Sequence, residues 1–245
     1  MARMRAAIVT GVSRGLGESL AAALLARGFA VTGIGRASAD RLGGANYAFA
    51  PSDLADIAAI APGLAPVFAA VAATRPESIC LINNAAAAGP VGMLGTLDDS
   101  EVAEALAVNL VAPVALANLF CRVFAGAAAE CLLINVSSGL AERALAGSGP
   151  YSIAKAGLEM LTRQLVAEYQ APGFSAITVR PGIIDTGMQA FMRSRPREAF
   201  ASVDMFKGFH ASGQLVPPDA VAAKIVDKLV LGAVENGRCY SYKEL

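Results

Sequence analysis

The sequence predicts an α/β fold: a single doubly wound parallel sheet of about seven strands with helices on both faces. Three observations carry that prediction. Short apolar runs alternate with longer stretches of helical periodicity along the 245 residues. The clearest runs, AAIVT at 6–10 and CLLINV at 131–136, are apolar without alternation, as strands covered on both faces must be. A glycine-rich turn, TGVSRGLG at 10–17, joins the first run to a helical pattern and aims a helix N-terminus at whatever lies beyond the strand.

Residues 6–10 read as the first strand. Leu16, Leu20 and Leu24 then repeat at helical spacing, and Gly28 stops that helix. Residues 30–34 are a second strand and 47–49 a weak third. Residues 57–74 are uncharged, but Pro62, Gly63 and Pro66 interrupt them, and no element is assigned there. Residues 78–82 form a fourth strand between Pro76 and Asn83-Asn84. Asp98, Asp99 and Ser100 offer caps and an acidic first turn for a long helix towards Phe124. Pro113 should kink that helix or mark a local irregularity. Residues 131–136 are a fifth strand, 151 to about 170 a helix ended by Pro172-Gly173, and 176–180 a sixth strand. Residues 188–216 are irregular or weakly helical. Pro217 and Pro218 open a helix with Val221, Ile225 and Leu229 on its apolar face, and residues 238–242 suit a seventh strand.

Composition narrows the function classes. The chain is 55% apolar with zero net charge, and about a fifth of it is alanine, so it can bury a large core as one domain over 1–245. Zero net charge removes the electrostatic case for nucleic acid. The uncharged runs 57–74, 78–97 and 105–121 are broken by proline, glycine or asparagine, so none reads as a clean membrane span. The expectation is a soluble, cytoplasmic protein. Cys80, Cys121, Cys131 and Cys239 show no CxxC spacing, so they read as reduced core cysteines, and no metal is expected.

The chemistry gathers at strand ends. In the turn 10–17, glycines permit close approach of backbone to a pyrophosphate, and the helix that follows supplies N–H donors. An NAD site places an acid at the end of the second strand. Here that segment runs Val31-Thr32-Gly33-Ile34-Gly35-Arg36, with no acid. Arg36 and Arg14 can fork onto a 2′-phosphate and Ser13 can add a hydroxyl, so the cofactor read is NADP(H). Tyr151 and Lys155 share a helix face. An ammonium about 4 Å from a phenol is worth roughly 4 kcal/mol at an effective dielectric near 20, or about three pKa units. On that reasoning Lys155 should bring the Tyr151 pKa down and ready it for general acid–base work. Ser137 and Ser138 follow the fifth strand and Asn83-Asn84 the fourth, on one rim. Asn109 is a polar residue inside an apolar helix.

With TGVSRGLG (10–17), Asp53-Leu54, NNAA (83–86), Asn109, Ser138, YSIAK (151–155) and PGIIDT (181–186) in order, the chain resembles the short-chain dehydrogenase/reductase family over nearly its whole length. The resemblance implies a Rossmann-type fold and a catalytic tetrad of Asn109, Ser138, Tyr151 and Lys155. Tyr151 would exchange a proton with the substrate oxygen, Lys155 would also hold the nicotinamide ribose, and Asn109 would order a water in the relay. Cofactor contacts would come from Gly11, Ser13, Arg14, Gly15, Leu16, Gly17 and Arg36 on one side. Asp53 with Leu54 would meet the adenine and Asn84 with Ala85 the adenosine side, while Pro181, Ile183 and Thr186 would serve the nicotinamide. Ala86 departs from the family's usual glycine and is read as tolerated.

The ending GRCYSYKEL lacks the terminal signature of 3-oxoacyl-carrier-protein reductases and is similar to that of the sepiapterin reductase and benzil reductase branch. That likeness implies ketone or 1,2-diketone substrates. Residues 187–216 would form the substrate lid, with Met188, Phe191 and Met192 beside Ser138 in the pocket. Packing of the lid against the core or a subunit neighbour is the alternative use of the same side chains. Family members pair their long helices, so a homodimer or homotetramer is expected. A 3-oxoacyl-carrier-protein reductase, another short-chain alcohol dehydrogenase and a non-catalytic NADP-binding sensor are the other functions the sequence admits.

Overall fold

The computed structural model describes residues 4–127, 129–170 and 172–245. Its strands are β1 (Arg5–Thr10), β2 (Ala30–Gly35), β3 (Tyr47–Pro51), β4 (Ser78–Asn83), β5 (Glu130–Val136), β6 (Phe174–Arg180) and β7 (Cys239–Ser241). They form one sheet in the order β3-β2-β1-β4-β5-β6-β7, every neighbour parallel. Chain direction across the sheet reverses between β1 and β4, the switch point at which such sheets open a crevice beyond their strand ends.

Helices cover both faces. On one side α1 (Gly15–Ala26) and α8 (Pro218–Ile225) bury Leu20, Leu24, Val221 and Ile225 against Val9, Val31 and Ile82. On the other, α2 (Ile57–Ala73), α4 (Ala112–Phe124) and α5 (Gly149–Glu168) bury Phe68, Leu116, Phe120, Phe124 and Leu165 against Ile8, Leu81 and Leu133. The register sets these two faces, because alternate residues of a strand point to opposite sides. A short helix, α3 (Asp99–Leu106), precedes α4, and two more, α6 (Gly187–Arg193) and α7 (Val203–Ala211), lie between β6 and α8.

Two segments differ from the sequence reading. The run broken on paper by Pro62, Gly63 and Pro66 is one helix, α2. Asp56 caps it by accepting from the Ala59 N–H at 3.2 Å. Both prolines lie on the exposed face, where water can serve the carbonyls they leave unpaired, while Ile60, Leu64 and Phe68 at i, i+4 and i+8 are buried. Burial of that stripe outweighs the two missing hydrogen bonds. The segment 188–216 holds α6 and α7, more helix than its sequence pattern suggests.

The irregularity expected near Pro113 is a π-helical turn, Ala107–Val111, between α3 and α4. The whole stretch Asp99–Phe124 is long and apolar enough to cross a bilayer by length and composition. Its apolar face is used by the core instead, with Phe120 and Phe124 fully buried.

Candidate active site

The first half of the site is built from close-packed glycines and from two short side chains, Thr10 and Asn84, bonded to main chain. Thr10 ends β1, and its Oγ accepts from the N–H groups of Asn84 and Ala85, each at 2.9 Å. Its carbonyl accepts from Asn84 Nδ2 at 2.9 Å. These bonds lock the glycine turn against the NNAA segment at the switch point. Gly11 has φ +75, and a Cβ there would sit 2.8 Å from Ala85 Cα. A Cβ on Gly17 would sit 2.1 Å from the Gly11 carbonyl oxygen and 2.4 Å from Asn84 Nδ2. Gly17 is therefore required by the protein's own packing before any ligand is considered. Gly15, at φ +61, faces Thr186 across the crevice, with 3.2 Å from a built Cβ to Thr186 Cγ2. Ala86 does not take a positive φ; among the described residues only Arg75 does so without being glycine. The extra methyl is thus carried on unstrained backbone.

The crevice fits a dinucleotide phosphate. Helix α1 starts after Arg14, and no side chain caps its first N–H groups. Arg14 and Arg36 are exposed, and among the described residues neither has a carboxylate partner. Arg41, nearby in sequence, is spent on Glu18 at 2.6 Å and Asp219 at 2.9 Å. Ser13 is also exposed, whereas Leu16 is buried in the core and offers a ligand only its backbone. The Ser52 N–H donates to the Gly35 carbonyl at 2.9 Å, which brings Asp53 to the end of β2. Asp53 is exposed and accepts from Ala55 N at 3.0 Å, while Leu54 is a core side chain.

The second half is built from side chains. Asn109 is fully buried on the π turn. Its carbonyl oxygen accepts from the Ala87 N–H at 2.8 Å and its amide donates to the Ala87 carbonyl at 3.0 Å. That amide clamps the loop after β4, so a water relay through this residue would use its main chain. Ser138 has extended backbone, and its Oγ accepts from Leu140 N at 3.2 Å to start a short 3₁₀ turn, Gly139–Ala141. Lys155 is 2% exposed, and its Nζ donates to the Val136 carbonyl at 2.7 Å. It lies 5.5 Å from the Tyr151 ring centroid.

The protonation picture corrects the expectation drawn from spacing alone. Burial raises the Tyr151 phenol to about 12, with a hydrogen bond from Ser138 pulling the other way. Burial also lowers Lys155, to about 8. Lys155 does not depress the phenol here, because its ammonium is held by Val136 and desolvation dominates both groups. The ensemble keeps Tyr151 a neutral proton donor.

Around these groups stands a polar layer that the sequence did not signal. Asn83 donates to Asn135 at 3.0 Å, Asn135 to Thr162 at 2.9 Å, and Thr162 meets Thr178 at 2.8 Å, pinning α5 to β4, β5 and β6. Arg180, at the end of β6, binds Glu159 with Nε at 2.8 Å and an Nη at 2.7 Å, and Glu142 with its other Nη at 2.7 Å. Ser137 Oγ lies 2.9 Å from the same Glu159 carboxylate. Only spacing hinted at this, since Glu159 lies one turn beyond Lys155.

Beyond Pro181, Ile183 and Thr186 the chain makes its excursion through α6 and α7 and closes on itself. Val216 N–H donates to the Ile183 carbonyl, and Asp185 N–H to the Val216 carbonyl, both at 2.9 Å. Met192 and Phe200 are buried with Val203 in a small cluster that also takes in Val91 and Leu145. Phe191 and Met188 are half-buried, and the Arg195 guanidinium stacks 4.1 Å over the Phe191 ring. Facing this cluster is a cavity of about 230 Å³, lined by Gly92, Met93, Leu94, Leu145, Gly147 and Gly149 among others. Met93 and Leu94 are exposed on it, and Gly149 lies two residues before Tyr151.

Comparison with known proteins agrees with this architecture. The family model described as short chain dehydrogenase matches residues 5–197. The chain is similar to a benzil reductase ((S)-benzoin forming) of Bacillus subtilis, 31% identical over 97% of this chain and 98% of that one. It is similar to a sepiapterin reductase of Meriones unguiculatus, 30% identical over 94% of this chain and 93% of that one. Among solved structures, a 3-oxoacyl-[acyl-carrier protein] reductase of Brucella melitensis in complex with NAD has a TM-score of 0.79 at 25% identity, covering 99% and 96% of the two chains. A short chain dehydrogenase of Burkholderia cenocepacia in complex with NADP has a TM-score of 0.74 at 27% identity, covering 96% and 94%.

Proposed function

This chain belongs to the short chain dehydrogenase family, and on that footing we propose that it is an NADPH-dependent carbonyl reductase acting on ketones or 1,2-diketones. The observation that carries the reading is the half-buried Tyr151 phenol hydrogen-bonded with Ser138 on the rim of the sheet, one helical turn from the buried Lys155. A phenol held neutral is ready to give its proton to an oxygen that gains negative charge, and Ser138 is there to hold that oxygen. Lys155 keeps a positive charge at pH 7, and its Nζ is fixed by the Val136 carbonyl one helical turn from Tyr151. The nicotinamide, when bound, supplies the hydride. Ile183 and Thr186 would serve its amide, and Asn109 would act by fixing the loop at Ala87.

The exposed Arg14 and Arg36, without a carboxylate partner among the described residues, and the lack of an acid in the β2 segment itself (Ala30–Gly35) support NADPH over NADH. The cavity lined by Met93, Leu94 and Leu145 supports an uncharged, apolar substrate. Exposed Val111, Val114, Ile153 and Met160 on α4, its π turn and α5 support pairing with a second copy of the chain. Four free cysteines suit the reducing cytoplasm.

The test is NADPH oxidation against a panel of diketones, ketones and aldehydes, with Tyr151→Phe alongside. The variant should lose about 10³-fold in kcat while binding NADPH as the wild type does. A wild type that turns over nothing in the panel overturns the reductase reading, and a clear preference for NADH overturns the cofactor.

A further inference from the structure

We propose that Arg180 is a positioning residue, tying the Ser138 loop, helix α5 and the turn after β6 into one rigid unit. The proposal rests on the reductase reading for its kinetic consequences. Each partner of Arg180 lies next to a group expected to meet substrate or cofactor. Glu159 is one helical turn beyond Lys155, and Glu142 follows the 3₁₀ turn that Ser138 begins. Ser137, bonded to the same carboxylate at 2.9 Å, is adjacent to Ser138. Arg180 itself immediately precedes Pro181, whose turn leads to Ile183 and Thr186.

The geometry uses the whole guanidinium fork. Two nitrogens grip Glu159 at 2.8 and 2.7 Å and the third reaches Glu142 at 2.7 Å. A lysine carries the charge but cannot span two carboxylates in this plane. The backbone of Arg180 is held as well, its carbonyl accepting from the Tyr242 N–H at 2.9 Å. The Arg180–Glu159 pair is largely enclosed, with side chains 19% and 13% exposed. Such a pair adds little net stability over well-packed apolar residues, so its value lies in fixing orientation. The Glu142 arm is different: its carboxylate is 63% exposed and is worth little by itself. Glu159 should therefore matter far more than Glu142.

Arg180→Lys, Glu159→Gln and Glu142→Gln separate geometry from charge. Two readouts are used: steady-state kinetics with NADPH and a diketone, and hydrogen exchange of residues 137–142 and 181–186. Arg180→Lys and Glu159→Gln should each lower kcat about tenfold, with substrate KM and NADPH affinity within about threefold of wild type. Both should speed exchange in the two segments about tenfold and leave β1–β3 unchanged. Glu142→Gln should stay within about twofold on both readouts. Wild-type kcat and exchange in Arg180→Lys and Glu159→Gln would overturn the proposal, as would faster exchange throughout the sheet, which marks a merely structural role. Exchange needs no turnover, so a wild type without carbonyl reduction would sink the reductase reading while the exchange data still decide on Arg180.

Discussion

At the β1–β2 edge, the loops that would meet a dinucleotide are held by glycines and by Thr10 and Asn84 bonded to main chain, and among the described residues the nearby Arg14 and Arg36 have no carboxylate partner. At the β5–β6 edge, the loops around Tyr151 are held by side chains, and Arg180 is matched by two carboxylates. The two edges serve different ends. A phosphate site needs backbone N–H groups at close range and cations free to meet the ligand, so side chains must stay out of the way. A proton-transfer site needs side chains held to a fraction of an ångström in a dry setting, so they must be anchored by others.

The largest effect should come from filling the backbone-on-backbone contact. Gly17→Ala places a Cβ 2.1 Å from the Gly11 carbonyl oxygen. It should weaken NADPH binding at least about 100-fold and cost about 3 kcal/mol of stability, read by fluorescence titration and denaturant melts. The same change at Gly63, where nothing lies within 4 Å, should instead stabilise α2 by up to about 1 kcal/mol. Equal outcomes at the two glycines would break the contrast.

On the side-chain edge, burial of Lys155 has a pH signature. Its folded value of about 8 lies below the ordinary 10.5, so the unfolded chain binds the extra proton between those values. The cost of burying the charge is full below about 8 and is relieved as pH rises towards 10.5, so this group makes stability increase across that window. Lys155→Met should raise stability by about 2 kcal/mol at pH 7, with a gain that shrinks above pH 8. A gain that is flat with pH in chemical denaturation would contradict the assignment.

The smallest effect tests the free cations. Arg36→Ala should weaken NADPH about tenfold and leave NADH unchanged, since only the former carries the 2′-phosphate. Equal losses for both cofactors in isothermal titration would remove Arg36 from the phosphate site.

Much of this was legible in the residues. The unalternated strands, the glycine turn, and the Tyr151–Lys155 spacing are local patterns, set by sterics and helical periodicity within a few residues. The helix α2 was hidden because Pro62 and Pro66 are forbidding on average but harmless on a solvent face, and only packing tells which face that is. The titration of Tyr151 and Lys155 also escaped. Spacing fixes which groups share a helix face, but the dielectric around them and the Val136 carbonyl that captures the ammonium come from β5.

The sequence by itself determined the order of the strands, the glycine turn and the identity of the reactive side chains, because these depend on neighbours along the chain. Only the tertiary structure decided that Gly17 serves the NNAA segment, that the Asn109 amide clamps Ala87, and that Arg180 joins Glu159 and Glu142. Each of those contacts links residues more than about 20 positions apart in sequence or on separate elements, where hydrogen-bond geometry and burial are set by the packed sheet and leave no periodic trace.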